Sequence, residues 1–495
     1  MAKIGFDNAK YLALQSEHIQ ERVAQFGGKL YLEFGGKLFD DYHASRVLPG
    51  FEPSSKLQML LKMKDQAEIV IAINSETIEQ AKTRGDLGIT YDQEVLRLID
   101  AFRAAGLYVS SVVLTQFQNQ KSAKQFEKLL QKQEIKTYRH YVIEGYPYNV
   151  EHIVSEDGLG KNDYIQTTRP LVVLTAPGPG SGKMATCLSQ LYHDNKNGIK
   201  SGYAKFETFP IWNLPLKHPV NLAYEAATAD LDDVNMIDPY HLEAYGLSTV
   251  NYNRDIEIFP VLNRVFEKIF GSSAYKSPTD MGVNMAGYCI SDDEVCQEAS
   301  RQEIIRRYLK ALVKRRQGQN NDAEVAKIDS LMKMNGIDIS ERKAIGAARA
   351  KAEKTGEPAA AIELDDGTLI TGKNSPLLRC NSAMILNALK HLAGIRDSVT
   401  ILPKSILEQI CNLKTQSLGG HNPRLHLDEV LIALSISALS NPLAEMALDQ
   451  LPKLKGCQSH STVILSEMDN GTLKKLGIDH TSDPIYETKK LFHRN

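Results

Sequence analysis

The sequence predicts an α/β protein, with a Rossmann-like, mostly parallel sheet in the N-terminal domain, a helical middle and a smaller C-terminal α/β domain. Three observations carry that prediction. Short runs rich in Val, Ile and Leu alternate with amphipathic stretches up to about residue 190, the pattern of βαβ units. Long helical patterns with few strand signals occupy residues from about 215 to 355. The alternation resumes at about residue 360. At roughly 150 residues per domain, 495 residues allow about three domains. They are drawn at 1–215, 216–355 and 356–495.

In the first domain, residues 30–34, 68–74 (EIVIAIN), 108–115, 136–143 and 170–175 (PLVVLT) read as strands. Their apolar character without strict alternation is what burial on both faces produces. Residues 56–64, 92–105 and 122–132 read as helices, the second with apolar Val95, Leu96, Leu98, Ile99 and Phe102. In the middle, 291–317 reads as a helix opened by a Ser291/Glu294 capping box and closed by Lys314, Arg315, Arg316 and Gly318. Residues 321–335 and 340–354 read as further helices. In the last domain, 362–370 reads as a hairpin around Asp366-Gly367, with later strands expected at 399–402 and 462–465.

Composition excludes several classes. Fifty-eight Lys and Arg against 60 Asp and Glu give a net charge of −2. That argues against a dedicated nucleic-acid or membrane-surface protein, whose partner is polyanionic. Six cysteines without a CxxC fit a reducing cytoplasm and exclude a disulfide scaffold. The N-terminus turns polar before a signal-peptide core could form. No apolar run approaches the ~20 residues of a membrane span. A cytoplasmic location is expected, and homo-oligomerisation is allowed but not required.

The segment that carries chemistry is 170–194, PLVVLTAPGPGSGKMATCLSQLYHD. A buried strand runs into a glycine-rich turn and then into a helix. Gly178, Gly180 and Gly182 permit positive φ and close backbone approach. The helix start offers unpaired N–H groups, Ser181 lies in the turn, and Lys183 adds a cation. This arrangement suits a phosphate. A full phosphate-binding loop reads GxxxxGK[ST]; here Pro177 and Met184 stand at its two ends. Met184 cannot ligate Mg²⁺ as a hydroxyl does. Half of a dinucleotide fingerprint is also present, with Glu207 as a poorly spaced acid.

Phe34-Gly35-Gly36-Lys37 follows another strand, with Arg46 soon after. Lys37, Arg46 and Lys183 are expected to converge on one anion at the carboxyl edge of the sheet, where Asn74 and Thr115 also fall. Asp230, Asp232, Asp233, Asp238 and Glu243, with His241, read either as caps or as Mg²⁺ ligands. The run from Arg306 to Arg316 reads as a solvated helix face. Ser459, His460 and Cys457 lie together as a nucleophile site would, although such sites assemble in the fold and not along the chain. Lys373 and Arg379 form a further candidate for an anion.

The strings KLYLEFGGKLFDDYHASRVLPGF (29–51), TAPGPGSGKMATCLSQLYHD (175–194), HPVNLAYEAATADLDDVNMIDPYHLEAYG (218–246) and SPTDMGVNMAGYC (277–289) resemble a family of uncharacterised bacterial proteins. The resemblance spans essentially the whole chain. It implies a cytoplasmic protein with a domain of unknown function. Some members carry an ATP-dependent protease label, from which this chain departs in lacking HExxH and a complete phosphate loop. The expected function is that of an enzyme binding ATP or another phosphorylated small molecule at 178–183, with Mg²⁺ dependence open. The alternatives are a non-catalytic nucleotide-sensing or assembly protein and an NAD(P)-dependent oxidoreductase.

Overall fold

The structure, a computed structural model, describes residues 3–36, 38–39, 41–84 and 88–488. Seven strands form a sheet in the N-terminal region: β1 Leu30–Phe34, β2 Ala67–Asn74, β3 Val109–Phe117, β4 Lys136–Tyr141, β5 Leu171–Thr175, β6 Gly202–Phe206 and β7 Gly282–Val283. Their order across the sheet is β7-β6-β1-β5-β2-β3-β4, and every pairing is parallel. The chain runs outward from β2 to β4, returns to the centre at β5, and then runs outward to β7 on the other side. Such a reversal opens a crevice at the carboxyl ends of the central strands.

Every residue of β1, β2, β5 and β6 is buried, because helices cover both faces of the sheet. One face is covered by α1, Lys183–Lys196, and α2, Asn253–Phe270. Cys187, Leu188 and Leu191 of α1 and Phe259, Leu262 and Phe266 of α2 share a core with Tyr31, Val172 and Leu174 of the sheet. Both α2 and β7 lie beyond residue 215, yet they build this N-terminal sheet layer. A two-residue edge strand has too few positions to show any periodicity.

A compact unit comprises Ile4–Glu225 and Asp232–Ser300; a second comprises residue 3, Ala226–Leu231 and 301–488. The second contains helices in its first part, including most of α3, Asp293–Arg316, and then a small separate sheet. Its strands are β8 Ala359–Glu363, β9 Leu369–Lys373, β10 Gln458–Ser461 and β11 Asp479–Ser482, in the order β9-β8-β10-β11. The β8–β9 hairpin turns at Gly367, whose φ of +82° only glycine adopts without strain. The helices α4, Cys380–Leu392, α5, Leu427–Ala438, and α6, Glu467–Lys475, supply Met384, Ile385, Val430, Leu434 and Leu473 to its core.

Three local expectations are corrected. Residues 399–402 form no strand; Ile401 and Leu402 are buried in the core without a ladder partner, and Pro403 ends the segment. The strand expected at 462–465 lies at Gln458–Ser461. Its polar residues concealed it, and they are buried because β11 satisfies them: Ser459 meets His480 at 2.9 Å and His460 meets Thr481 at 2.9 Å. The start of α3 is capped by Asp292, which accepts from Val295 N at 3.2 Å, and not by Ser291.

Candidate functional site

The glycine-lysine turn lies between β5 and α1, at the carboxyl edge of the sheet. Its carbonyls point inward. Asn74 Nδ2, at the end of β2, donates to Gly180 O at 3.2 Å. Thr115 Oγ1, in β3, donates to Ser181 O at 2.8 Å. Ser181 Oγ donates to Gly178 O at 2.7 Å. Gly182 has a φ of +81°, and a Cβ there would approach Thr115 Oγ1 to 2.9 Å; a Cβ on Gly178 would approach the Tyr91 hydroxyl to 2.4 Å. Glycine is required by backbone conformation at one position and by packing at the other.

With the carbonyls tied down, the amides are left over. The first helical bond of α1 runs from Thr186 N to Gly182 O at 3.0 Å. The N–H groups of Gly182, Lys183, Met184 and Ala185 meet no acceptor among the described residues. These are the orphan donors at the positive end of the helix dipole. Lys183 turns inward, its side chain 16 % exposed and its Nζ 3.8 Å from Glu33 Oε1. Glu33 also accepts from Tyr203 OH at 2.8 Å. Asn74 and Thr115 thus meet the loop, as their positions at the strand ends predict.

Beside Glu33 in register stands Lys205 of β6. Its Nζ lies 2.9 Å from Glu207 Oε1 and pairs with Asp255, in the first turn of α2, and with the Tyr252 hydroxyl. Burial pulls the ammonium toward neutrality, but Asp255, Glu207 and Glu33 outweigh it and hold it charged. Burial pushes the Glu207 carboxyl up to about 7, against the pull of Lys205. Sequence reasoning missed Glu33, Lys205 and Asp255 as a set. The signal was a charged residue within each of two otherwise buried strands, LYLEF and GYAKF.

A titration follows. Because Glu207 binds its proton more tightly in the folded than in the unfolded chain, its contribution is fully present below the unfolded value and is lost as pH rises through 7. Glu207→Gln is therefore expected to gain stability relative to the parent protein, by about 3 kcal/mol between pH 4.5 and 8. Urea midpoints across that range check it; a constant difference would contradict the raised carboxyl.

Lys37 lies outside the described residues. Arg46 occupies the last turn of the short helix Tyr42–Val47. A different cation, Lys56, is buried by the Gly35-Gly36 turn, 2.9 Å from Asp41 Oδ2 and 3.4 Å from Gly35 O. Among the acids, Asp238 caps the helix Pro239–Tyr245, and Asp233 pairs with Arg254. No group of three or more His, Cys, Asp or Glu able to hold a metal occurs among the described residues. In the basic run, Arg306 and Arg307 pair with Glu303, and Lys314 with Glu324. No helix among the described residues is long and apolar enough to cross a membrane.

Two family models match the chain: "Domain of unknown function DUF1846, N-terminal" over residues 4–336, and its C-terminal counterpart over 340–492. A UPF0371 protein of Streptococcus pyogenes serotype M5 (strain Manfredo) is 57 % identical over 494 residues, covering 100 % of both chains. A UPF0371 protein of Streptococcus equi subsp. zooepidemicus (strain H70) is 57 % identical over 492 residues, covering 99 % of this chain and 98 % of that one. A UPF0371 protein of Streptococcus uberis is 57 % identical over 494 residues, again covering 100 % of both. Matched from end to end by both halves of one family and by these bacterial relatives, the chain belongs to the DUF1846 family of uncharacterised proteins.

Proposed function

We propose that the N-terminal sheet binds a phosphorylated small molecule, such as ATP or another nucleotide, at residues 178–183. The observation that supports this most is the division of labour in the turn. Asn74 and Thr115 hold its carbonyls inward, while the four amides at the start of α1 are left without protein acceptors. A phosphate fits that donor set and the helix dipole. Gly178, Gly180, Ser181 and Gly182 line the ligand with backbone. Lys183, already drawn toward Glu33, shifts its charge to the phosphate. Lys37 and Arg46, which follow β1 in sequence, are the further cations of this reading.

A dinucleotide is a poorer fit. The acid that would bind a ribose, Glu207, is buried and engaged by Lys205 and Tyr252. Binding without turnover is the second reading. Met184 favours it, because no hydroxyl stands at that position to hold Mg²⁺. Thermal-shift titration with nucleotides and phosphosugars tests the proposal. The protein is expected to gain about 2.7 kcal/mol of stability at a hundred times the dissociation constant. Lys183→Ala is expected to weaken that affinity about tenfold. If no phosphorylated compound raises the melting temperature, the proposal fails. Product formation on long incubation then separates an enzyme from a sensor.

A further inference from the structure

Arg379 precedes α4 directly, and its guanidinium is unusually idle. The side chain is 14 % exposed, and its neighbouring charges are Asp469 Oδ2 at 3.9 Å and Glu487 Oε2 at 4.0 Å. Both lie beyond hydrogen-bond reach. No side-chain hydrogen bond joins Arg379 to any described residue, and its Nε is buried without a partner. A guanidinium carries five donors in a rigid fork matched to carboxylates and phosphates. Leaving them unmet away from water is costly.

Neither neighbouring carboxylate is hydrogen-bonded to the fork. Asp469 already accepts from His426 Nδ1 at 2.9 Å, Ser466 Oγ at 2.7 Å, Asn381 Nδ2 at 3.0 Å and Leu427 N at 2.9 Å. Glu487 is drawn to the other side, where its Oε1 accepts from Arg424 NH1 at 2.6 Å and from Asn374 Nδ2 at 2.8 Å. Arg424 is itself anchored by Nε donation to Ser375 O at 3.0 Å, with Glu357 at 3.9 Å from its other amine. The result is a pair of arginines with one side-chain carboxylate, from near the C-terminal end of the described chain, bonded to only one of them.

We propose that Arg379 and Arg424 form an oxyanion site of the phosphate or phosphomonoester class in the C-terminal unit, and that the Glu487 carboxylate competes for it. An incoming tetrahedral anion satisfies the fork of Arg379 and takes over the Arg424 bond, displacing Glu487. The site is independent of residues 178–183, so it is tested in full-length Lys183→Ala protein. Calorimetric titration with inorganic phosphate at constant ionic strength is expected to show a binding event that responds to substitution of Arg379 and Glu487. Arg379→Gln weakens it about tenfold or more, and Glu487→Gln tightens it about tenfold by removing the competing charge. Absence of phosphate binding in both Lys183→Ala and Lys183→Ala/Glu487→Gln overturns the proposal. So does equal affinity in those two proteins, and that comparison decides alone if Arg379→Gln does not fold.

Discussion

Lys205→Met is expected to lower the unfolding free energy of the sheet-bearing unit by about 3–5 kcal/mol in urea denaturation. The side chain is 9 % exposed and is the cation shared by Glu207 and Asp255, whose side chains are 5 % and 8 % exposed. Met fills most of the volume but leaves two carboxylates buried together with no counter-charge. One of them must take up a proton, so the loss deepens as pH rises. Adding Glu207→Gln to Lys205→Met is expected to recover more than Glu207→Gln gains in the parent protein, a non-additivity typical of groups in one network. A loss below about 1 kcal/mol would mean that water reaches the cluster and screens it.

Asp469→Asn is expected to cost the C-terminal unit a similar amount, about 3–5 kcal/mol near neutral pH. Asp469 is fully buried. Burial alone would raise its carboxyl, but hydrogen bonds from His426, Leu427 N and Asn381 hold it far below the usual carboxylate range. Stability from a depressed carboxyl is present above the unfolded value of about 4 and is lost as pH falls below it. The gap between the parent protein and Asp469→Asn is therefore expected to be full at pH 6 and to narrow progressively below pH 4. Denaturant midpoints at several acidic pH values measure it; a gap that widens on acidification contradicts the ionised state of Asp469.

The same residue shows why the C-terminal chemistry was hard to read along the chain. Asp469 is held by Asn381, His426 and Leu427, which lie at the starts of α4 and α5, while it sits in the first turn of α6. Linear adjacency brings together Cys457, Ser459 and His460, which is no guide to an assembled site. Those residues are buried along β10 and its approach, with Ser459 and His460 bonded to β11. Arg379 was legible as an anion candidate, but its isolation from hydrogen-bonding partners was not. In the N-terminal unit, the glycine spacing located the loop, and strand-end positions placed Asn74 and Thr115 beside it. The charged cluster of Lys205, Glu207 and Asp255 was not foreseen as a set, because β6 and α2 meet only after more than forty intervening residues have folded.

What the sequence determined alone was local: the apolar runs of β1, β2, β3 and β5, the long helices, and a glycine turn that frees the amides of α1. Period and turn chemistry are encoded within a few residues, so they survive reading one segment at a time. Strand order, the inclusion of β7 and α2 in the first unit, the burial of the polar strand β10 and the idle fork of Arg379 arise from contacts distant in sequence. Each depends on which charged or polar group finds a partner once water is excluded, and that balance is set only when the chain closes on itself.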